Sequence, residues 1–158
     1  MRTFWFALIV AVVAVVSPLL ACATPFVAIA AVAVRTLPLR SALAAVLLSW
    51  FVNQTIGFAY LHYPHLPATY GLGIGIGCSA VAATLVAARI GPAVPAFAVA
   101  FAVYEVTQYA FALAFGGVET FAPPIVAQIF GVDLVGAALL LIVRLVLLRD
   151  ARSQLAPR

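Results

Sequence analysis

The side chains able to do chemistry are few in this chain, and most of them interrupt long apolar runs. Residues 41–67 read SALAAVLLSWFVNQTIGFAYLHYPHLP, with Asn53 and Gln54 adjacent near the middle and a polar aromatic cluster, His62, Tyr63, Pro64 and His65, at the end. Glu105 lies in a second apolar run with Gln108, and Asp133 lies in a third. An ionisable residue inside a membrane segment costs about 2.5–3.5 kcal/mol even on insertion scales, so each is by default a pointer to a binding site. Glu105 and Asp133 are the strongest single signals.

Placed on a helix at 100° per residue, Ser49, Asn53, Gly57 and Tyr60 form one stripe with Trp50 and Gln54 beside it, while Leu48, Phe51, Phe58 and Ala59 lie opposite. The polar stripe is expected to face a bundle and the Leu/Phe stripe the lipid. Phe97, Phe101, Tyr104, Glu105, Gln108 and Ala112 likewise share a face. The predicted solute site therefore comprises Asn53, Gln54, Glu105, Gln108 and Asp133, with Trp50, Tyr60, Phe101 and Tyr104 as walls. A blander reading is also open: the amides and a protonated Glu105 would be interhelical glue, worth about 0.6 kcal/mol per contact.

Other motifs carry less. His62 and His65, with Glu119, could hold a transition metal at the outer mouth, although histidines at such an edge are commonly solvated. Gly71, Gly75, Ser79, Ala83 and Ala87 recur every fourth residue, a small-residue stripe for close helix approach rather than a dinucleotide loop. Cys22 and Cys78 have no metal-like spacing and are expected as small buried hydrophobes. No hydrolase, zinc-protease or intramembrane-protease constellation is present, and no enzyme activity or cofactor is expected.

The elements that position these groups follow from composition. The 158 residues are 67% hydrophobic and 8% charged, with a mean hydropathy of +1.25. That is far from a soluble domain, and the chain reads as one all-α, polytopic membrane domain spanning 1–158. Its partners are then the bilayer, a small molecule or ion, and other membrane subunits. All eight basic residues are arginines, without the interleaved aromatics of a nucleic-acid surface.

Six helices are expected, at about 4–16, 18–34, 41–62, 71–88, 95–115 and 125–148. The first two form a short hairpin turning near Ser17-Pro18, where proline breaks the ladder. Cleavage as a signal peptide, or at a lipoprotein box around Cys22, is the less favoured reading, since it would leave residues 24–34 only about 16 Å of reach across a core roughly 30 Å thick. With both termini inside, every arginine falls on the cytoplasmic face and His62, His65 and Glu119 fall outside, as the positive-inside rule requires. In this frame Asn53, Glu105 and Asp133 all sit roughly 15–18 Å from the inner face at 1.5 Å rise per residue.

The layout is similar to that of the S components of energy-coupling-factor vitamin and metal transporters, small bacterial proteins of six helices. The stretch Ala7-Leu-Ile-Val-Ala11 fits the Ala-xxx-Ala surface that their first helix often offers a coupling subunit. The resemblance implies capture of a vitamin, cofactor or metal ion at the outer face of a bacterial inner membrane, with transport driven by membrane partners and cytoplasmic ATPases. The competing expectation is a non-transporting subunit that assembles a larger membrane complex.

Overall fold

The computed structural model describes residues 7–9, 11, 15 and 24–155. Every regular element among them is helical. Helical residues at Ala7–Ile9, Ala11 and Val15 precede five α-helices: α1 (Phe26–Thr36), α2 (Leu39–Ala59), α3 (Pro67–Ala87), α4 (Ala93–Phe115) and α5 (Pro123–Leu155). A 3-10 turn, Val118–Phe121, joins the last two. Helices α2 to α5 each contain a segment long and apolar enough to cross a bilayer, so the protein is a multi-pass helical membrane bundle. The turn expected near Ser17-Pro18 and the position of Cys22 lie outside the described residues.

Proline sets most of the helix starts. Pro38 and Pro92 precede α2 and α4 as N-caps. Pro67 begins α3, and Pro123 with Pro124 begins α5, positions where the missing amide hydrogen costs nothing. These starts precede the expected ones by two to four residues because Leu39, Pro67, Ala93 and Pro123 are already helical. Helix α2 stops at Ala59 instead of continuing to His62, whose φ of 55° is left-handed and incompatible with a continuing helix. Helix α4 ends on Gly116 and Gly117, with φ of 92° and 94°, a turn that side-chain-bearing residues adopt only with strain.

Helix α1 differs from the rest. Its 11 residues span about 16 Å, half of a hydrocarbon core roughly 30 Å thick. Pro25 precedes it, so the second arm expected over 18–34 is helical only from Phe26 within the described residues. Phe26 to Ala33 are all buried, and α2, α3, α4 and α5 all pack around it. A helix apolar on every side belongs at the centre of a bundle. Its C-terminal end joins α2 through Leu37 and Pro38 alone, so that end lies at the arginine-bearing face and its N-terminus stops at mid-depth. Arg35 fixes the lower end, donating to the carbonyls of Ala31 (3.0 Å), Gly91 (3.4 Å) and Pro92 (3.3 Å).

The small-residue stripe of α3 does what its spacing indicates. Gly71, Gly75, Ser79, Ala83 and Ala87 are buried, and the neighbouring rings seat directly on the glycines. An added Cβ at Gly75 would lie 2.8 Å from the Phe111 ring, and one at Gly73 would lie 2.6 Å from Gln54 Oε1. Cys78, in contrast, is exposed, on the apolar surface beside Leu47 and Trp50; the expectation of a buried thiol fails there because the adjacent stripe, one residue away, is what faces the bundle.

Gly75→Leu is expected to lower stability by about 1–3 kcal/mol through overpacking against Phe111. Gly91→Ala, where nothing lies within 4 Å of an added Cβ, is expected to be silent. Unfolding midpoints of the two variants in detergent check this.

Candidate functional site

The first-turn amides of α1 have no partner within their own helix, and Pro25 offers no side-chain cap. Other helices supply what the local sequence lacks. Asp133 of α5, only 2% exposed, accepts a hydrogen bond from the Ala28 amide at 2.8 Å, and the Val27 amide also bonds to it. A carboxylate at a helix N-terminus gains up to about 2 kcal/mol in buried geometry, which offsets much of the cost of placing it in the membrane. Gly136, one turn on, makes the approach feasible: an added Cβ there would lie 2.9 Å from Pro25.

Two further spans reach the same helix end. Asn53 of α2 is buried, and its Nδ2 donates to Thr24 Oγ1 at 2.7 Å. Tyr104 of α4 is buried with its ring stacked on Phe26, centroids 6.5 Å apart. Tyr104, Glu105 and Asp133 lie close enough to interact electrostatically. Residues 24–28 are thus the meeting point of α2, α4 and α5, and the mid-depth polar residues of all three converge on one short element.

Among the described residues, two buried side-chain oxygens have no hydrogen-bond partner: Ser49 Oγ on α2 and Glu105 Oε2 on α4. Ser49 lies one turn below Asn53 on the same face of α2, and it is fully buried. The comparison with the threonines is informative. Thr36, Thr55, Thr84 and Thr107 each satisfy their hydroxyl on the carbonyl four residues back, at 2.7–2.9 Å. Ser49 does not. Glu105 is half-buried, with one carboxyl oxygen withdrawn from solvent and unpaired.

The remaining amides belong to a second group, seated on α3. Gln54 Nε2 donates to Asn53 Oδ1 at 3.3 Å while its carbonyl end covers Gly73. Ser79 Oγ donates to Gln108 Oε1 at 3.3 Å, and the Trp50 indole donates to the Gly73 carbonyl at 2.7 Å. Phe101 is buried and packs edge-on against Phe130 of α5, centroids 4.9 Å apart. Tyr60, past the end of α2, is 69% exposed and stands apart from both groups. Gln128 is exposed while Asp133 is buried, as a regular helix with 140° between them requires.

At the face opposite the arginines, the connection after α2 folds back on the bundle. The Tyr63 ring covers Gly57, leaving no room for a Cβ there, and Gly57 is one turn beyond Asn53 on the same face. Phe58 stacks on His65 (5.4 Å) and on Tyr70 (5.0 Å), and His65 Nδ1 pairs with the Tyr70 hydroxyl at 2.6 Å. His62 and Glu119 are exposed. Among the described residues no three metal-ligating side chains gather, so His62, His65 and Glu119 form no metal-holding group.

A cavity of about 820 Å³ lies away from the polar centre. It is an apolar groove along α5, bounded by Leu8, Ala11 and Pro25 and by Gly131, Val135 and Leu139; such a lateral surface suits acyl chains. Sequence reasoning missed Thr24, and it put Ser49 on the bundle-facing stripe without counting it among the site residues; both are polar and buried. The signal was available for Ser49, which shares the Asn53 stripe, but not for Thr24, whose role depends on where α1 begins.

Compared with protein-family models, curated proteins and solved structures, the chain matches none.

Asp133→Ala is expected to lose about 1–3 kcal/mol, the cost of leaving the buried Ala28 amide unpaired, whereas Asp133→Asn, which retains an acceptor oxygen, is expected to lose less. Thermal unfolding in micelles distinguishes the two, and equal losses would remove the capping role.

Proposed function

We propose that this protein binds a solute at mid-depth, captured from the face opposite the arginines, and moves it across a bacterial inner membrane with both termini cytoplasmic. The observation that carries the reading is the buried N-terminus of α1 at half the membrane depth, reached by Asn53, Tyr104 and Asp133 from three different spans. Helices that stop inside a membrane, with their ends turned to polar side chains, are how many transporters build substrate and ion sites. The oxygens of Ser49 and Glu105, unpaired among the described residues, supply further hydrogen-bonding capacity.

In this reading Asn53, Glu105 and Asp133 are the polar core of the site, Tyr104 and Phe101 its apolar wall, and Trp50, Gln54 and Gln108 the layer that holds α3 against it. The likeness in layout to the S components adds a vitamin, cofactor or metal ion as solute and a coupling subunit as partner. A second reading, a non-transporting membrane subunit, is favoured by one feature: over Pro123–Val146, α5 leaves most of its apolar surface uncovered within the bundle.

Native mass spectrometry of the gently solubilised protein tests the first reading. A small molecule or ion retained by the wild type and lost in Glu105→Gln, with folding intact, is the expected result. A bare polypeptide mass, or a co-purifying chain with no small molecule, would favour the second.

A further inference from the structure

The apolar groove along α5 has one polar residue in its lining. Gln128 bounds it together with Val135, Leu139 and Val143, and at 100° per residue Gln128, Val135 and Leu139 fall within one narrow arc of the helix. Of the polar side chains in the span Pro123–Val146, Asp133 is bonded inward and Arg144 stands at the arginine-bearing end. Gln128 is exposed and makes no hydrogen bond among the described residues. Hydrocarbon offers an amide no partner, so whatever lies in the groove must bring one.

The depth of Gln128 indicates which partner. It is five residues past Pro123, where α5 begins, a rise of about 7–8 Å. The span Pro123–Val146 has 24 residues, about 36 Å against a hydrocarbon core roughly 30 Å thick. With the span centred, Gln128 lies about 4–5 Å inside the boundary at the face opposite the arginines. Helical side chains tilt toward the N-terminus, here toward that boundary, so the amide reaches the interfacial layer in which lipid ester groups lie. An ester offers acceptors only, and the amide nitrogen of Gln128 is a donor.

The shape of the groove suits a chain and not a helix. From Gln128 to Val143 it follows α5 for about 22 Å, and 820 Å³ over that length is a mean section of about 37 Å². A helix with its side chains is about 10–12 Å across, roughly 80–110 Å² in section, so a helix from a second copy would bridge the groove and leave it empty. Carbon chains pack about 4 Å apart, and one of them fits lengthwise. Gly131, one turn past Gln128, keeps the floor open, since nothing lies within 4 Å of an added Cβ there.

We infer that this groove is a lipid site: it holds one acyl chain of a glycerophospholipid from the leaflet opposite the arginines, with Gln128 Nε2 donating to that chain's ester carbonyl. The site goes beyond solute capture at the polar centre and does not depend on it.

The test is native mass spectrometry of the full-length protein, delipidated in a neutral detergent and titrated with dioleoylphosphatidylcholine or with its diether analogue, which keeps tails and headgroup but has no ester carbonyls. The wild type is expected to bind its first ester lipid at least threefold more tightly than its first ether lipid. In Gln128→Leu the ester lipid is expected to fall to the ether value. Gly131→Leu, which fills open groove without meeting a neighbour, is expected to weaken both lipids at least fivefold. Unchanged unfolding midpoints in the two variants separate lost binding from lost folding, and the comparison of the two lipids on the wild type needs no substitution at all.

Equal binding of the two lipids by the wild type, or a preference that survives in Gln128→Leu, would overturn the inference. So would lipid binding undiminished in Gly131→Leu. A lipid-free dimer mass that is lost in Gly131→Leu would assign this face to a second copy of the chain instead. None of these outcomes bears on the small molecule or ion sought at the polar centre.

Discussion

A helix that ends inside a membrane must find partners for its terminal amides, because lipid supplies none. Helix α1 ends in that way, and the arrangement of the other helices follows from it. Asp133 bonds its first turn from α5, Thr24 just before it is bonded by Asn53 of α2, and Phe26 is covered by Tyr104 of α4. Each contact places a polar or amphipathic group at a depth where it would otherwise be costly. The short helix and its ring of partners are mutually dependent: without α1, the polar groups at mid-depth lose their bonding partners, and without them α1 exposes bare amides.

Close approach is the second requirement, and it is met by residues that present almost no side chain. Gly73, Gly75 and Gly77 on α3 receive Gln54, Phe111 and Trp50, and Gly136 on α5 receives Pro25. In a bilayer, where apolar burial between helices gains little over contact with lipid, dispersion and interhelical hydrogen bonds must hold a bundle together. The Trp50 indole bonded to the Gly73 carbonyl shows both at once: the ring lies on a glycine surface and its one donor meets a backbone acceptor that only a bare helix face leaves open.

Much of this was legible in the sequence, and the reason differs by element. The spans α2 to α5 were readable because each is a long apolar run bounded by proline or arginine, and the burial of Asn53, Tyr104 and Ser79 follows from helical periodicity applied to those runs. The second group of amides was less legible. Gln108 shares a face with Glu105 and Gln54 flanks the Asn53 stripe, yet both lean on α3, because the small residues there give long polar side chains room to lie down. Helix α1 was the hardest to read: the 25 residues before it contain no pattern that separates a short central helix from one arm of a hairpin. Its partner Asp133 could be flagged as costly, but which amide would compensate it depends on three-dimensional proximity over 105 positions of chain.

Arg35 gives the central helix a mechanical role. At its lower end α1 is tied by that guanidinium to the bend between α3 and α4, and at its upper end it is tied by Asp133 to α5. Helix α5 otherwise lies at the periphery, with most of its surface facing outward. A displacement of that outer helix would therefore be felt directly at the centre, through the carboxyl bonds of Asp133 to the Ala28 and Val27 amides. The short central helix is thus pinned at both ends by side-chain-to-backbone bonds that reach across the bundle.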